Sequence, residues 1–216
     1  MNDKQLRLNV VDELDFEPSI DSADIGVSAE NGVVTLSGHV PSYAQKIAAE
    51  HAVWRVKGVK AIAQEIEVRV PSDKKHHDDE IAQRAISILN WDSAVPANAI
   101  QVKVQHGFVT LSGQVNWHYQ RTAAEAAMRK LSGVIGVINH IGLMPVAQSR
   151  DIKKGISDAL TRHAALEADR IEVAVLDGGK VTIDGEVDNW DQWHAVEHAV
   201  WSIPGVQNVA NHLRIA

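Results

Sequence analysis

Histidine is the residue with the widest chemical range in this chain, and it occurs eleven times in 216 residues. His194 and His198 stand four apart, a spacing that lets two imidazoles on one helix face share a metal ion. No third ligand is fixed beside them, and both project away from the alanine-rich core side of their helix, so no metal is expected. His76 and His77 fall in a polar linker and read as solvated. Asp184, Glu186 and Asp188 alternate along a strand, so three carboxylates share one side and can draw a cation. They lack the loop pattern of a calcium site, and solvent-facing strand residues are commonly charged. With no cysteine, the chain has no disulfide, thiolate metal site or thiol nucleophile. Ser37 and Ser112 precede glycine, but no Gly-x-Ser-x-Gly elbow, phosphate loop or dinucleotide fingerprint is present. The expectation is a protein that is not an enzyme and carries no cofactor.

The aromatic residues are more informative. Ile47, His51 and Trp54 follow i, i+4, i+7 spacing, and so do His194, His198 and Trp201. A helical-wheel count puts this stripe roughly opposite the core face. Thr122, Ala126 and Arg129 occupy the matching places in a third segment. Two tryptophans on matched outer faces suggest a contact surface. Trp117, Phe108 and Trp91 are further aromatics in the middle third, where Lys103, Arg121 and Arg129 are available for phosphate. Tryptophan suits an interface because its ring is apolar while its N–H can face water. The alternative for Trp91 is that it fills a core place matching that of Phe16.

These residues are positioned by a triplicated pattern. NGVVTLSGHV begins at Asn31, HGFVTLSGQV at His106 and GGKVTIDGEV at Gly178. Three glycine sets keep the same register: Gly32, Gly107, Gly179; Gly38, Gly113, Gly185; and Gly58, Gly133, Gly205. Before each hairpin an apolar stripe marks a helix: Leu6, Val10, Leu14; Ile81, Ala85, Leu89; Ile152, Ile156, Leu160. Asp78 and Ser149 suit the N-caps of the second and third of these. Ile25, Val27, Ala29 and their counterparts alternate as a half-buried strand. The glycine turn leads into a second strand, and Thr35, Ser37 and His39 face away from the core.

A second helix follows, with Ser42, Asn116 or Asp188 as cap. Its expected core face is Ala48, Ala52, Val53, Val56, matched by Ala123, Ala127, Met128, Leu131 and by Ala195, Ala199, Val200, Ile203. A last strand ends each copy. The predicted fold class is α+β: three tandem α-β-β-α-β domains, each a three-stranded mixed sheet with two helices on one face. Their expected bounds are 1–70, 78–144 and 149–216, with linkers at 71–77 and 145–148. The third copy carries one extra turn residue, in Asp177-Gly178-Gly179.

Hydrophobic residues make up 45% of the chain and charged residues 23%, enough apolar content for folded domains. Net charge is −7. Residues 1–70 hold 7 basic and 11 acidic groups, residues 71–146 hold 7 and 6, and residues 147–216 hold 7 and 11. The acidic outer copies are repelled by nucleic acid and anionic lipid; only the middle copy, at +1, escapes that objection. No apolar run reaches membrane-span length. The first twenty residues read without a secretory pattern. Cytoplasmic placement is therefore expected, or a periplasmic one if an export signal lies outside this sequence.

The G-x-V-x-L-x-G-x-V hairpin, the Ala-rich second helix, the Gly-Val turn and the closing strand resemble the BON family, three times over nearly the whole chain. Ile183 and Asp184 are mild departures in the third copy. The resemblance implies binding without catalysis in osmotic or envelope stress, with membrane phospholipid or a protein partner as ligand. It also carries an alternative, a cytoplasmic protein that binds potassium ion through backbone carbonyls. Nucleic acid is not an expected partner: a KH-like RNA site needs a Gly-x-x-Gly loop and a basic surface, and the chain has neither. Lipid would bind through the middle copy.

Overall fold

A computed structural model describes residues 2–144, 152–162, 170–176 and 178–215. Copy one runs α1 (Asp3–Phe16), β1 (Ile25–Glu30), β2 (Val33–Val40), α2 (Tyr43–Arg55) and β3 (Ala61–Val68). Copy two runs α3 (Asp78–Trp91), β4 (Ile100–Gln105), β5 (Phe108–Val115), α4 (His118–Arg129) and β6 (Gly136–Leu143). Copy three runs α5 (Ile152–Arg162), β7 (Ile171–Leu176), β8 (Lys180–Val187), α6 (Trp190–Trp201) and β9 (Asn208–Ile215). The expected α+β class and the order within each copy are both present. Ser149, the linker 145–148 and Asp177 lie outside the described residues.

Each sheet has three strands, with the second in the middle. In copies one and three the hairpin pair is antiparallel and the last strand joins in parallel. The parallel step needs a crossover, which the second helix supplies. Leu6, Val10 and Leu14 on α1 meet Val34, Leu36 and Val40 on β2 and Ala49, Ala52 and Val53 on α2, forming one buried cluster. Copy three repeats it with Ile156, Leu160, Ile183, Val196 and Val200. The core face of the second helix is therefore set one residue later than expected at its start. Ala49, Ala124 and Val196 are fully buried, where Ala48, Ala123 and Ala195 were expected. The alternation on the strands fixes the sheet side, while a helix face read from small residues alone can rotate by one position, about 100°.

Two glycine sets are explained by backbone geometry. Asn31 and Gly32 both have positive φ, 53° and 85°, as do His106 and Gly107, at 51° and 77°. Two consecutive left-handed residues make the tight hairpin turn whose twist suits the flanking strands. Gly38 has φ of 105°, and a Cβ there would fall on the carbonyl oxygen of Asp24. Gly113 and Gly185 repeat this against Ala99 and Arg170.

Local hydrogen bonds correct the expected caps. Ser42 caps α2 by accepting from the Gln45 N–H. In copy three the cap is Asn189, one residue after Asp188, accepting from Gln192. In copy two Trp117 stands in the matching place, and the Gln120 side-chain oxygen takes the N–H groups of Asn116 and Trp117 instead. Asp78 is the first residue of α3, and its carboxylate accepts from the backbone of His106 and Gly107. The linker is ordered by a short 3-10 turn, Ser72–Lys74, and the Ser132 hydroxyl donates to the Lys74 carbonyl. His76 is not solvated. Its Nδ1 lies 3.1 Å from Glu80 and its Nε2 2.8 Å from Arg84.

The last strand carries a feature that the apolar pattern hides. Gln64, Asn139 and Asn211 occupy one position in the three copies, and each interrupts an inward apolar row. Gln64 Oε1 accepts from the Ile66 N–H and Asn211 Oδ1 from the Leu213 N–H. Lys46 donates to the Ile66 carbonyl at 2.7 Å. β3 and β9 are edge strands, so these side chains occupy backbone groups that another chain would otherwise pair with.

Packing divides the chain into two compact units. One comprises Met1–Trp91, Val102–Leu111 and Glu125–Asn139; the other comprises Asp92–Gln101, Ser112–Ala124 and His140–Ala216. Among the described residues no helix is long and apolar enough to cross a membrane.

Candidate functional site

In the first unit, α3 buries Ile81, Ala85 and Leu89 and leaves an adjoining flank open. Arg84, Ile88 and Trp91 follow i, i+4, i+7 spacing, so they line that flank together. Trp91 is 91% exposed and Ile88 37%. Phe16, the matching residue on α1, is 82% exposed. Neither aromatic fills the expected core place. Leu14 and Leu89 are the last buried residues of their helices, and the chain leaves the sheet before the aromatic is reached. The flanks differ in charge. On α1 the places of Arg84 and Ile88 hold Asn9 and Glu13. Glu13 is paired at 2.8 Å with Arg55, which also reaches Glu17 at 3.0 Å. The Ser19 hydroxyl, with Arg55 second, lowers the Glu17 carboxyl below its ordinary range. An exposed aromatic beside an aliphatic and an arginine is thus confined to copy two, since copy three has Gly155, Ala159 and Arg162 at these places.

Phe108 also belongs to this unit. It is 46% exposed, and its ring lies over Gly136, covering the backbone of β6 where a side chain would clash. On α2, Trp54 packs as a half-buried residue against the core of its own copy, with Ile47 partly buried and His51 exposed.

The second unit brings four of the expected residues around one cavity. Trp117, His194, His198 and Trp201 line a space of about 780 Å³ with His118, Tyr119 and Glu197. Trp201 packs on one side against the core of copy three, and its ring stacks on His118 at 4.1 Å between centroids and 11° between planes. Trp190 and Trp193 extend the ring cluster toward His194, at 6.1 and 5.1 Å. His118 carries no signal in the sequence, because stacking depends on where the start of α4 meets α6 and residue spacing does not show it. His194 and His198 remain exposed. Among the described residues no three His, Cys, Asp or Glu side chains converge on a metal position. The acidic row is served from inside the protein: Arg170 reaches Asp188 at 3.1 Å and Glu186 at 3.7 Å.

A small α+β module with a protected outer strand, repeated three times and varied on its helix surfaces, is the architecture these observations define. A sequence model described as "BON domain" matches residues 2–70, 77–144 and 148–216, and the chain belongs to that family. It is similar to the osmotically-inducible protein Y of Escherichia coli (strain K12), 32% identical over 145 residues, which span 65% of this chain and 72% of that protein. Two solved structures of CdsD, a structural protein of the type III secretion system of Chlamydia trachomatis, also align. One, its C-terminal domain, is 15% identical and covers 100% of both chains at a TM-score of 0.27. The other is 16% identical and covers 98% of this chain and 93% of that one, also at 0.27.

Proposed function

We propose that this chain is a non-enzymatic binding protein of osmotic or envelope stress, and that it attaches to phospholipid surfaces through α3 of copy two. The observation that carries the reading is the side chain of Trp91, 91% exposed, with Ile88 and Arg84 on the same flank. An indole left in water gains free energy by entering the headgroup boundary, and the arginine beside it can meet lipid phosphate. Copy two is also the part of the chain that is not acidic. The stress assignment rests on the relative whose name records osmotic induction. The non-enzymatic assignment rests on the shared motif being structural, because its glycines serve a turn and a close backbone approach.

Flotation of the full chain with phosphatidylglycerol vesicles tests the reading. Wild type should float and Trp91→Ala should remain below, while Phe16→Ala floats as wild type does. A wild-type chain that stays with the soluble fraction at low salt rejects lipid attachment.

A further inference from the structure

The cavity of the second unit is a site for a small organic cation. We infer that it takes a quaternary ammonium group, held by the carboxylate of Glu197 and the exposed rings of Trp117 and Tyr119. One carboxylate position separates copy three from copy two. Glu125 on α4 is neutralised within its own copy: Arg129, one turn later, pairs with one carboxylate oxygen, and Asn139 donates to the other at 2.8 Å. Glu197, Trp201 and Asn211 hold the corresponding places in copy three. Trp201 cannot supply the charge that Arg129 supplies. Glu197 has no hydrogen-bond or ion-pair partner among the described residues, and the Asn211 side-chain N–H group is buried without an acceptor. The carboxylate that is satisfied in copy two therefore faces the cavity without its cation in copy three.

The walls select the kind of cation. Glu197 and Trp201 are four apart on α6 and share one helix face. Trp117, Tyr119 and the stacked His118 complete an aromatic enclosure, and neither lysine nor arginine lines it. A cation over an aromatic face is attracted by the ring quadrupole, and with Trp201 stacked under His118 the exposed faces are those of Trp117 and Tyr119. A guanidinium or primary ammonium would bring five or three N–H donors that must each be met. A methylated ammonium has no N–H to satisfy and presents an apolar shell to the rings. The space is ample for such a group and for a tail beyond it. The same chemistry is found in free solutes such as choline and in phosphatidylcholine headgroups. The inference is independent of the α3 flank, which was assigned to anionic lipid.

Titration of the full chain with choline, followed by calorimetry and tryptophan fluorescence, tests it. The comparison ligand is 3,3-dimethyl-1-butanol, which has the shape of choline without its charge. Choline should bind saturably and the neutral analogue about tenfold more weakly or worse. Glu197→Gln should weaken choline by about tenfold. Trp201→Arg rebuilds the internal pair of copy two and should abolish binding while far-UV circular dichroism stays unchanged. If phosphatidylcholine vesicles also bind and choline displaces them, the headgroup is a source; if only free choline binds, a solute is. Either result supports the site. No saturable choline binding, equal binding of the neutral analogue, or choline affinity unchanged in a folded Trp201→Arg chain would each overturn it. Loss of phosphatidylglycerol flotation has no bearing on these results, so the two readings fail separately.

Discussion

The carboxylate of Asp78, at the start of α3, accepts hydrogen bonds from the backbone N–H of Gly107 at 2.9 Å and of His106 at 2.7 Å. One side chain thus ties the first helix of copy two to the turn of its hairpin. Copy one has the same tie in weaker form, with Asp3 accepting from the Gly32 N–H at 3.4 Å. The backbone N–H of Gly107, and then that of His106, holds the Asp78 carboxyl below its ordinary value. A depressed carboxyl adds stability that is complete above its unfolded value, about 3.9, and is lost as pH falls through the folded value. Asp78→Asn should lower the thermal midpoint at pH 7 and flatten its fall as pH drops below about 4. Melting curves across that range check this. Identical pH profiles for the two chains would remove Asp78 from the account.

The second glycine of the motif should resist substitution more than any exposed position. Gly38→Ala places a Cβ on the Asp24 carbonyl oxygen in a backbone conformation that L side chains avoid. The expected cost is about 3 kcal/mol, through displacement of β1 from β2. Denaturant unfolding measures it, and Gly178→Ala is the control for positive φ alone, since nothing lies within 4 Å of the Cβ it would add. Equal costs at the two sites would mean that close approach contributes nothing.

Much of this was legible in the sequence because period-2 alternation and glycine register repeat three times. Val34, Leu36, Val109, Leu111, Val181 and Ile183 are each at most 1% exposed, as the alternation requires. The helix surfaces were less legible. Trp54 sits on a wheel position roughly opposite the core, yet its ring is long enough to fold back and pack as a half-buried residue. Phe16 and Trp91 have the apolar character of core residues, but their helices overrun the sheet. Gln64 and Asn211 are also out of pattern, because they satisfy an edge that a one-dimensional pattern does not show.

The two tryptophans of the first unit should therefore behave in opposite ways. Trp54→Ala removes a ring packed on the core of copy one and should cost about 2 kcal/mol, less than a full core truncation. Trp91→Ala removes a ring in water and should change stability by less than about 0.5 kcal/mol. Chemical unfolding of both variants, monitored by circular dichroism, separates them. A destabilised Trp91→Ala chain would leave its flotation defect open to an explanation by unfolding, so this measurement comes first.

Arg129 offers the converse of the cavity experiment. Its guanidinium pairs with Glu125 where both side chains are about two-thirds or more shielded, at 32% and 24% exposure, and Asn139 completes the carboxylate. Removing one partner of a shielded pair costs more than the pair contributes net, because the remaining charge keeps its desolvation penalty. Arg129→Ala should therefore destabilise copy two by about 1–2 kcal/mol. Glu125→Gln, which keeps an oxygen for Asn139 and removes the charge, should cost less than Glu125→Ala. The double variant Glu125→Gln with Arg129→Ala should recover part of the Arg129→Ala loss, since no unpaired carboxylate remains. Copy three already tolerates the analogous state, with Glu197 lining the open cavity and Trp201 packed on the core. Glu197→Gln should accordingly leave stability unchanged within about 0.5 kcal/mol. Urea unfolding of these variants makes the comparison. If Glu197→Gln proves as costly as Glu125→Gln, Glu197 already has a structural partner, and the contrast between the two copies is lost.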